Sequence, residues 1–140
     1  NERSNIIKPI RFSYKDYMNK MYLSKEDLKQ LDKLGHIIGL HSHSHPHKIE
    51  TLKLEDQNKD YKKNIYLLSK ILHKKKNEIK CMSHPNGSYT IETLKILYKL
   101  KIKLGFKQIM TIEKEKGMVK INNSSLEIAR KPHNEILIVK

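Results

Sequence analysis

Four of the eight histidines in this 140-residue chain, His41, His43, His45 and His47, fall within one short stretch, Leu40-His41-Ser42-His43-Ser44-His45-Pro46-His47. A neutral imidazole offers a nitrogen lone pair near physiological pH, which makes histidine the commonest side-chain metal ligand. Which rings would act together depends on the backbone. If a strand runs through the stretch, His41, His43 and His45 share one face, because side chains alternate with period two. If the strand ends at His41 and the chain enters a helical turn, His41 and His45 converge at the i, i+4 spacing and His43 points elsewhere. Either geometry makes a candidate divalent-metal site, with zinc the first expectation. The competing reading is a polar loop whose histidines make ordinary hydrogen bonds.

The elements that must position these rings follow from hydrophobic spacing. Ser24 with Asp27 three residues on is a helix-opening pattern; Leu28, Leu31 and Leu34 give that helix its apolar stripe, and Gly35 stops it. The run His36–Leu40 is expected to be a buried strand. A long helix is expected from Leu54 to about Lys74, with Tyr61, Ile65, Leu68, Ile71 and Leu72 at helical spacing; its acids lie at the start and its lysines at the end. No chemistry is assigned to it. Ile79–Ser83 reads as a second strand, leading into the turn residues Pro85-Asn86-Gly87. A third helix, about Ile91–Lys101, precedes a strand at Gly105–Met110. Leu126–Arg130 reads as a further strand, Glu113–Asn123 as a charged loop or ribbon, and Glu135–Lys140 as short helix or strand. Residues 1–21 are expected to be loop with one helical turn. Helix and strand in alternation imply a mainly parallel α/β sheet with ligands at the carboxyl ends of the strands.

Composition narrows the classes. No run approaches the ~18 consecutive apolar residues of a membrane-spanning helix, so no membrane span is expected. Lys and Arg number 29 against 15 Asp and Glu, a formal net charge of +14. The only arginines are Arg3, Arg11 and Arg130, and the lysines are spread along the chain, whereas phosphate and base readers favour the bidentate arginine fork. A solvated lysine surface is expected, with loose attraction to acidic polymers and no specific nucleic-acid partner. The lone Cys81 excludes an internal disulfide. Length implies a single domain over residues 1–140. The chain starts at Asn1 with no apolar leader, so an N-terminally truncated domain is expected. Nothing fixes the compartment, and the cytoplasm is the default expectation.

The stretch Leu34-Gly35-His36-Ile37-Ile38-Gly39-Leu40-His41-Ser42-His43-Ser44-His45 resembles the second motif of the NodB-type polysaccharide deacetylases, carbohydrate esterase family 4. There an apolar strand leads into His-[Ser/Thr]-x-x-His. The resemblance implies a partial (β/α) barrel, with His41 and His45 as metal ligands and His43 and His47 not. Ser83-His84-Pro85-Asn86-Gly87-Ser88-Tyr89 is similar to a shorter form of the family's third motif, which implies that the Asn86 backbone N–H serves as an oxyanion donor. Ser83 stands where the longer form has an arginine. Ile128-Ala129-Arg130-Lys131-Pro132-His133 resembles a tail of the same branch, implying that His133 protonates the departing amine with Arg130 beside it; a surface histidine is the alternative.

By this resemblance the chain is a metal-dependent hydrolase that removes an acetyl group from a sugar polymer or amino sugar. One piece is missing. The family's first motif is an Asp-Asp pair after a strand, and this chain has no adjacent aspartates; Asp16, Asp27 and Asp32 fall in loop or helix contexts. The motif resemblance therefore covers about Leu23 to Leu137. It implies weak metal binding and little or no turnover by this chain alone: either an upstream or partner segment supplies the Asp pair, or the chain no longer catalyses. The alternative is a non-catalytic metal- or polyanion-binding module.

Overall fold

A computed structural model of the chain describes residues 13–108 and 124–130. Where the sequence suggests loop with one helical turn, Tyr14–Met21 forms an eight-residue helix, α1. Ser24 then caps α2 (Lys25–Lys33). Its hydroxyl accepts from the Asp27 N–H at 3.1 Å, and the Asp27 carboxylate accepts from the Ser24 N–H at 2.7 Å. Two amides that a helix start leaves without partners are thereby satisfied. Gly35 takes a left-handed φ of 90° and turns the chain away from α2, as the stop signal implies.

The long helix α3 spans Leu54–Ile71, the strand β1 spans Cys81–Ser83, α4 spans Ile91–Lys99 and β2 spans Leu104–Phe106. The strands pair in parallel, Cys81 opposite Leu104 and Ser83 opposite Phe106. Leu40 extends the sheet beyond β1: its N–H donates to the Cys81 carbonyl at 2.8 Å and its own carbonyl accepts from the Ser83 N–H at 2.9 Å. On the far side Ile128 pairs in parallel with Phe106. The order Leu40, β1, β2, Ile128 is a stretch of parallel barrel wall, with its connecting helices packed on one face.

Two strand expectations are corrected: Leu126–Arg130 contributes a single bridge at Ile128 and no strand, and the run before His41 falls short as well. Of His36–Leu40 only Leu40 is paired and buried, at 1% exposure, while Ile37 is 78% exposed. Among the described residues the segment has a strand neighbour on one side only, at Met82.

Alternation sets the rest. Leu40 and Met82 point to the helical face and meet Tyr61, Ile65 and Leu68 of α3 and Leu94 and Leu97 of α4 in one core. Each fully buried side chain of this size contributes ~1.5–3 kcal/mol. Between the helices the buried Gln57 donates to the Leu52 carbonyl at 2.9 Å and accepts from the Thr93 hydroxyl at 2.8 Å. Gly105 permits the close approach of the last track, since a Cβ there would sit 2.5 Å from the Leu126 carbonyl oxygen. The expected ribbon at 113–123, the strand end at Ile109 and Met110, and the tail from Lys131 onward, including His133, lie outside the described residues.

Candidate metal centre

The carboxyl end of the Leu40 track delivers His41 directly above the end of β1. The His41 Nδ1 lies 2.9 Å from the Ser83 carbonyl oxygen. A carbonyl only accepts, so Nδ1 carries the proton and the lone pair sits on Nε2. That Nε2 is 3.1 Å from the Nε2 of His45, with ring centroids 4.8 Å apart and planes inclined by 59°. The two rings therefore converge through the same atom type.

Convergence at i, i+4 is what the helical-turn geometry requires, yet the route is different. Ser42 and His45 adopt left-handed φ values of 63° and 48°, and no helix forms between them. The His45 N–H donates to the Ser42 hydroxyl at 2.9 Å. His43 enters through its backbone: its N–H donates to the Asp60 carboxylate at 2.8 Å, while its side chain is exposed. The Ser44 N–H and hydroxyl reach the same carboxylate at 3.0 and 2.6 Å. One turn along α3, Asn64 accepts from the His41 N–H at 3.1 Å. So α3, to which the sequence gives no chemistry, grips the histidine loop with two side chains on one face. Only contacts spanning 16 to 23 residues reveal this, and hydrophobic spacing carries no signal for them.

Burial pushes the Asp60 carboxyl up, but donors from Ser44, His43 and Ser42 outweigh it and hold the group below the usual carboxylate range. It stays a charged acceptor for the loop.

The Pro85–Gly87 turn stands beside this loop. Asn86 adopts a left-handed φ of 51°, is exposed, and donates from its side-chain amide to the His47 carbonyl at 3.1 Å. His84, in contrast, is core: it is 1% exposed, its Nε2 donates to the Leu126 carbonyl at 2.8 Å, and its ring stacks on Tyr89 at 4.3 Å. Tyr89 in turn donates to Glu127 at 2.9 Å. Arg130 is exposed at the end of the last track. The structure thus brings His41, His45 and, through His47, Asn86 to one rim. On the sheet face opposite the core, a cleft of about 400 Å³ runs from Ile37 and Leu104 to His41 and Ser83.

The imidazole pair fits a metal in part. Zinc–nitrogen bonds are ~2.0–2.1 Å, and a nitrogen separation of 3.1 Å is one that a single ion can bridge. Among the described residues no group of three His, Cys, Asp or Glu side chains is arranged to hold an ion. The donor set found here is two neutral nitrogens and no carboxylate.

A family model described as polysaccharide deacetylase matches residues 6–105. The chain belongs to the polysaccharide deacetylase family. That match takes in both the histidine loop and the Asn86 turn, starts upstream of Leu23, and ends before Arg130 and His133. Among solved structures, the Streptococcus pyogenes deacetylase PplD in complex with acetate is similar at 21% identity and a TM-score of 0.61, covering 81% of this chain and 48% of that one. IcaB from Ammonifex degensii is similar at 19% identity and a TM-score of 0.57, covering 76% and 46%. A CE4 family pseudoenzyme from Bacillus anthracis is similar at 20% identity and a TM-score of 0.50, covering 56% and 26%. A search of curated proteins finds no match. At these identities the likeness is one of fold, and it makes this polysaccharide deacetylase domain a partial α/β barrel of the NodB type. The chain spans about half the length of the first two of these structures, 48% and 46%.

Proposed function

We propose that this polysaccharide deacetylase-family chain carries the histidine half of a metal-dependent hydrolase site that removes an acetyl group from a sugar polymer or amino sugar. The observation that supports this best is the 3.1 Å convergence of the His41 and His45 Nε2 atoms at the rim where the Asn86 turn also stands.

Amide hydrolysis adds water across the C–N bond and yields acetate and a free amine. A divalent metal held by His41 and His45, zinc by the chemistry of the donors, would polarise the acyl carbonyl and make water a better nucleophile. The Ser83 carbonyl keeps the His41 lone pair on Nε2, as ligation needs. The Asn86 backbone N–H would donate to the oxygen on which negative charge develops. His133, with Arg130 beside it, would protonate the departing nitrogen. No residue here is assigned to take the proton from water: the chain has no adjacent aspartates, and the Asp60 carboxylate is engaged by the loop. A segment bearing an aspartate pair, upstream or on a partner, would supply both that base and a third ligand. By this reading the chain alone binds metal weakly and turns over little or not at all.

Zinc titration of the wild type and of His41→Ala, His43→Ala and His45→Ala tests the ligand assignment. Loss in the first and third variants with retention in the second is expected; equal loss in all three would favour a strand-borne triple-histidine site. Acetate release from N-acetylglucosamine oligomers, with and without an added aspartate-pair segment, tests the reaction. A second reading is favoured by the net charge of +14: a non-catalytic module that holds metal or polyanions. Polymer binding that vanishes with salt and ignores zinc would select it.

A further inference from the structure

We propose that Asp60 is the positioning residue for the His41–His45 pair, acting through the backbone of the loop between them. The functional meaning rests on the metal-ligand reading above; the positioning concerns loop shape alone. The loop gains from an external hold, because Ser42 and His45 both sit in the left-handed region, with φ values of 63° and 48°, where residues with a Cβ are uncommon. No regular element supplies that hold between His41 and Pro46.

Asp60 supplies it. Its Oδ2 accepts from the His43 N–H at 2.8 Å, and its Oδ1 accepts from the Ser44 N–H at 3.0 Å and the Ser44 hydroxyl at 2.6 Å. Bonds to an ionised acceptor are roughly twice as strong as neutral ones. Asn64, one turn further along α3, holds the His41 N–H at 3.1 Å. The backbone is therefore pinned at 41, 43 and 44, and Ser42, lying between the pins, accepts at its hydroxyl oxygen from the His45 N–H at 2.9 Å. The left-handed turns are the path that remains, and they bring the two rings together. Both carboxylate oxygens accept from loop donors, and no group of three His, Cys, Asp or Glu among the described residues is arranged to hold an ion, so Asp60 acts on the loop.

The test uses the full chain with Asp60→Ala and Asp60→Asn, and with His41→Ala and His45→Ala as controls. The readouts are the ring-to-ring nuclear Overhauser contact of His41 and His45, zinc affinity by competition with a chromophoric chelator, and the thermal midpoint without zinc. Asp60→Ala should lose the ring contact and about 10- to 100-fold of zinc affinity, at temperatures where the midpoint shows the chain folded. Asp60→Asn, which keeps one oxygen but turns an N–H₂ group toward a donor, should fall between, and it carries the test if the alanine variant does not fold. A ring contact and zinc affinity unchanged in both Asp60 variants, with affinity lost in the histidine controls, overturns the proposal and leaves the ligand reading standing. If the wild type and the histidine controls are alike in binding no zinc, the ligand reading fails, and the ring contact alone decides for or against Asp60.

Discussion

The His41 Nδ1–H donates to the Ser83 carbonyl across 2.9 Å, tying the first ring of the loop to the last residue of β1. This fixes one tautomer and, through the 3.1 Å contact, dictates the other. With the His41 Nε2 as acceptor, a neutral His45 must place its proton on Nε2 and donate to it.

A zinc-coupled tautomer change follows. Ligation needs a lone pair on both Nε2 atoms, so His45 must move its proton to Nδ1 while His41 keeps its own. Long-range nitrogen–proton correlation spectra should show His41 as the Nδ1–H form with and without zinc, and His45 changing from Nε2–H to Nδ1–H. Movement of the His41 proton instead would mean that the Ser83 contact does not govern the site.

How much of this is legible in the sequence depends on whether the signal is local. The Ser24–Asp27 cap and the Tyr61, Ile65 and Leu68 stripe lie within a few turns of chain and are found as read; the His41–His45 spacing is legible as one of two geometries, and the rings converge without the helical turn that it implies. The Asp60 and Asn64 grip, the burial of His84 against Leu126 and the exposure of Ile37 depend on which segments become neighbours. Composition cannot encode that. Left-handed Ser42 and His45 were hidden for a related reason: neither is glycine, and the constraint comes from another element.

Gly105→Ala should destabilise the sheet. The added methyl would meet the Leu126 carbonyl oxygen at 2.5 Å and the Leu126 Cα at 2.9 Å, both backbone atoms with little freedom to retreat. Overpacking of this kind costs about 1–3 kcal/mol, read as a lower urea midpoint. The His84 Nε2 bond to the same carbonyl should weaken with it. A midpoint within error of the wild type would mean that the 124–130 segment is not packed on β2.

Acid should remove stability that two carboxylates provide. The Ser24 hydroxyl first and the Ser24 N–H second hold Asp27 below the usual range, against a small opposing effect of burial. At Asp60 burial raises the pKa, yet the Ser44, His43 and Ser42 donors win. A folded-state pKa below the unfolded one means that the unfolded chain binds more protons, so the contribution is complete above about pH 5 and is lost as pH falls through the lowered values. Urea midpoints should be level in this respect from neutrality to about pH 5 and decline below it. The decline should be shallower when Asp27 and Asp60 are both changed to Asn. Parallel curves for the double variant and the wild type would exclude these two groups as the cause.

Tyr61 and Asp60 are adjacent on α3 and face opposite tasks, one toward the core and one toward the loop. The Tyr61 ring is fully buried, and its hydroxyl has no hydrogen-bond partner among the described residues. Burial, with the Asp60 charge adding to it, pushes its phenol far above the usual value, so it stays neutral at any working pH. A buried donor left without a partner costs about 1–3 kcal/mol, while deleting it and keeping the ring preserves the packing. Tyr61→Phe should therefore raise the urea midpoint, by the equivalent of about 1 kcal/mol or more, and leave zinc affinity where it was. A fall in the midpoint would show that the hydroxyl has a partner in solution. A fall in zinc affinity with the midpoint unchanged would show that the core face of α3, and not only Asp60 and Asn64, sets the histidine geometry.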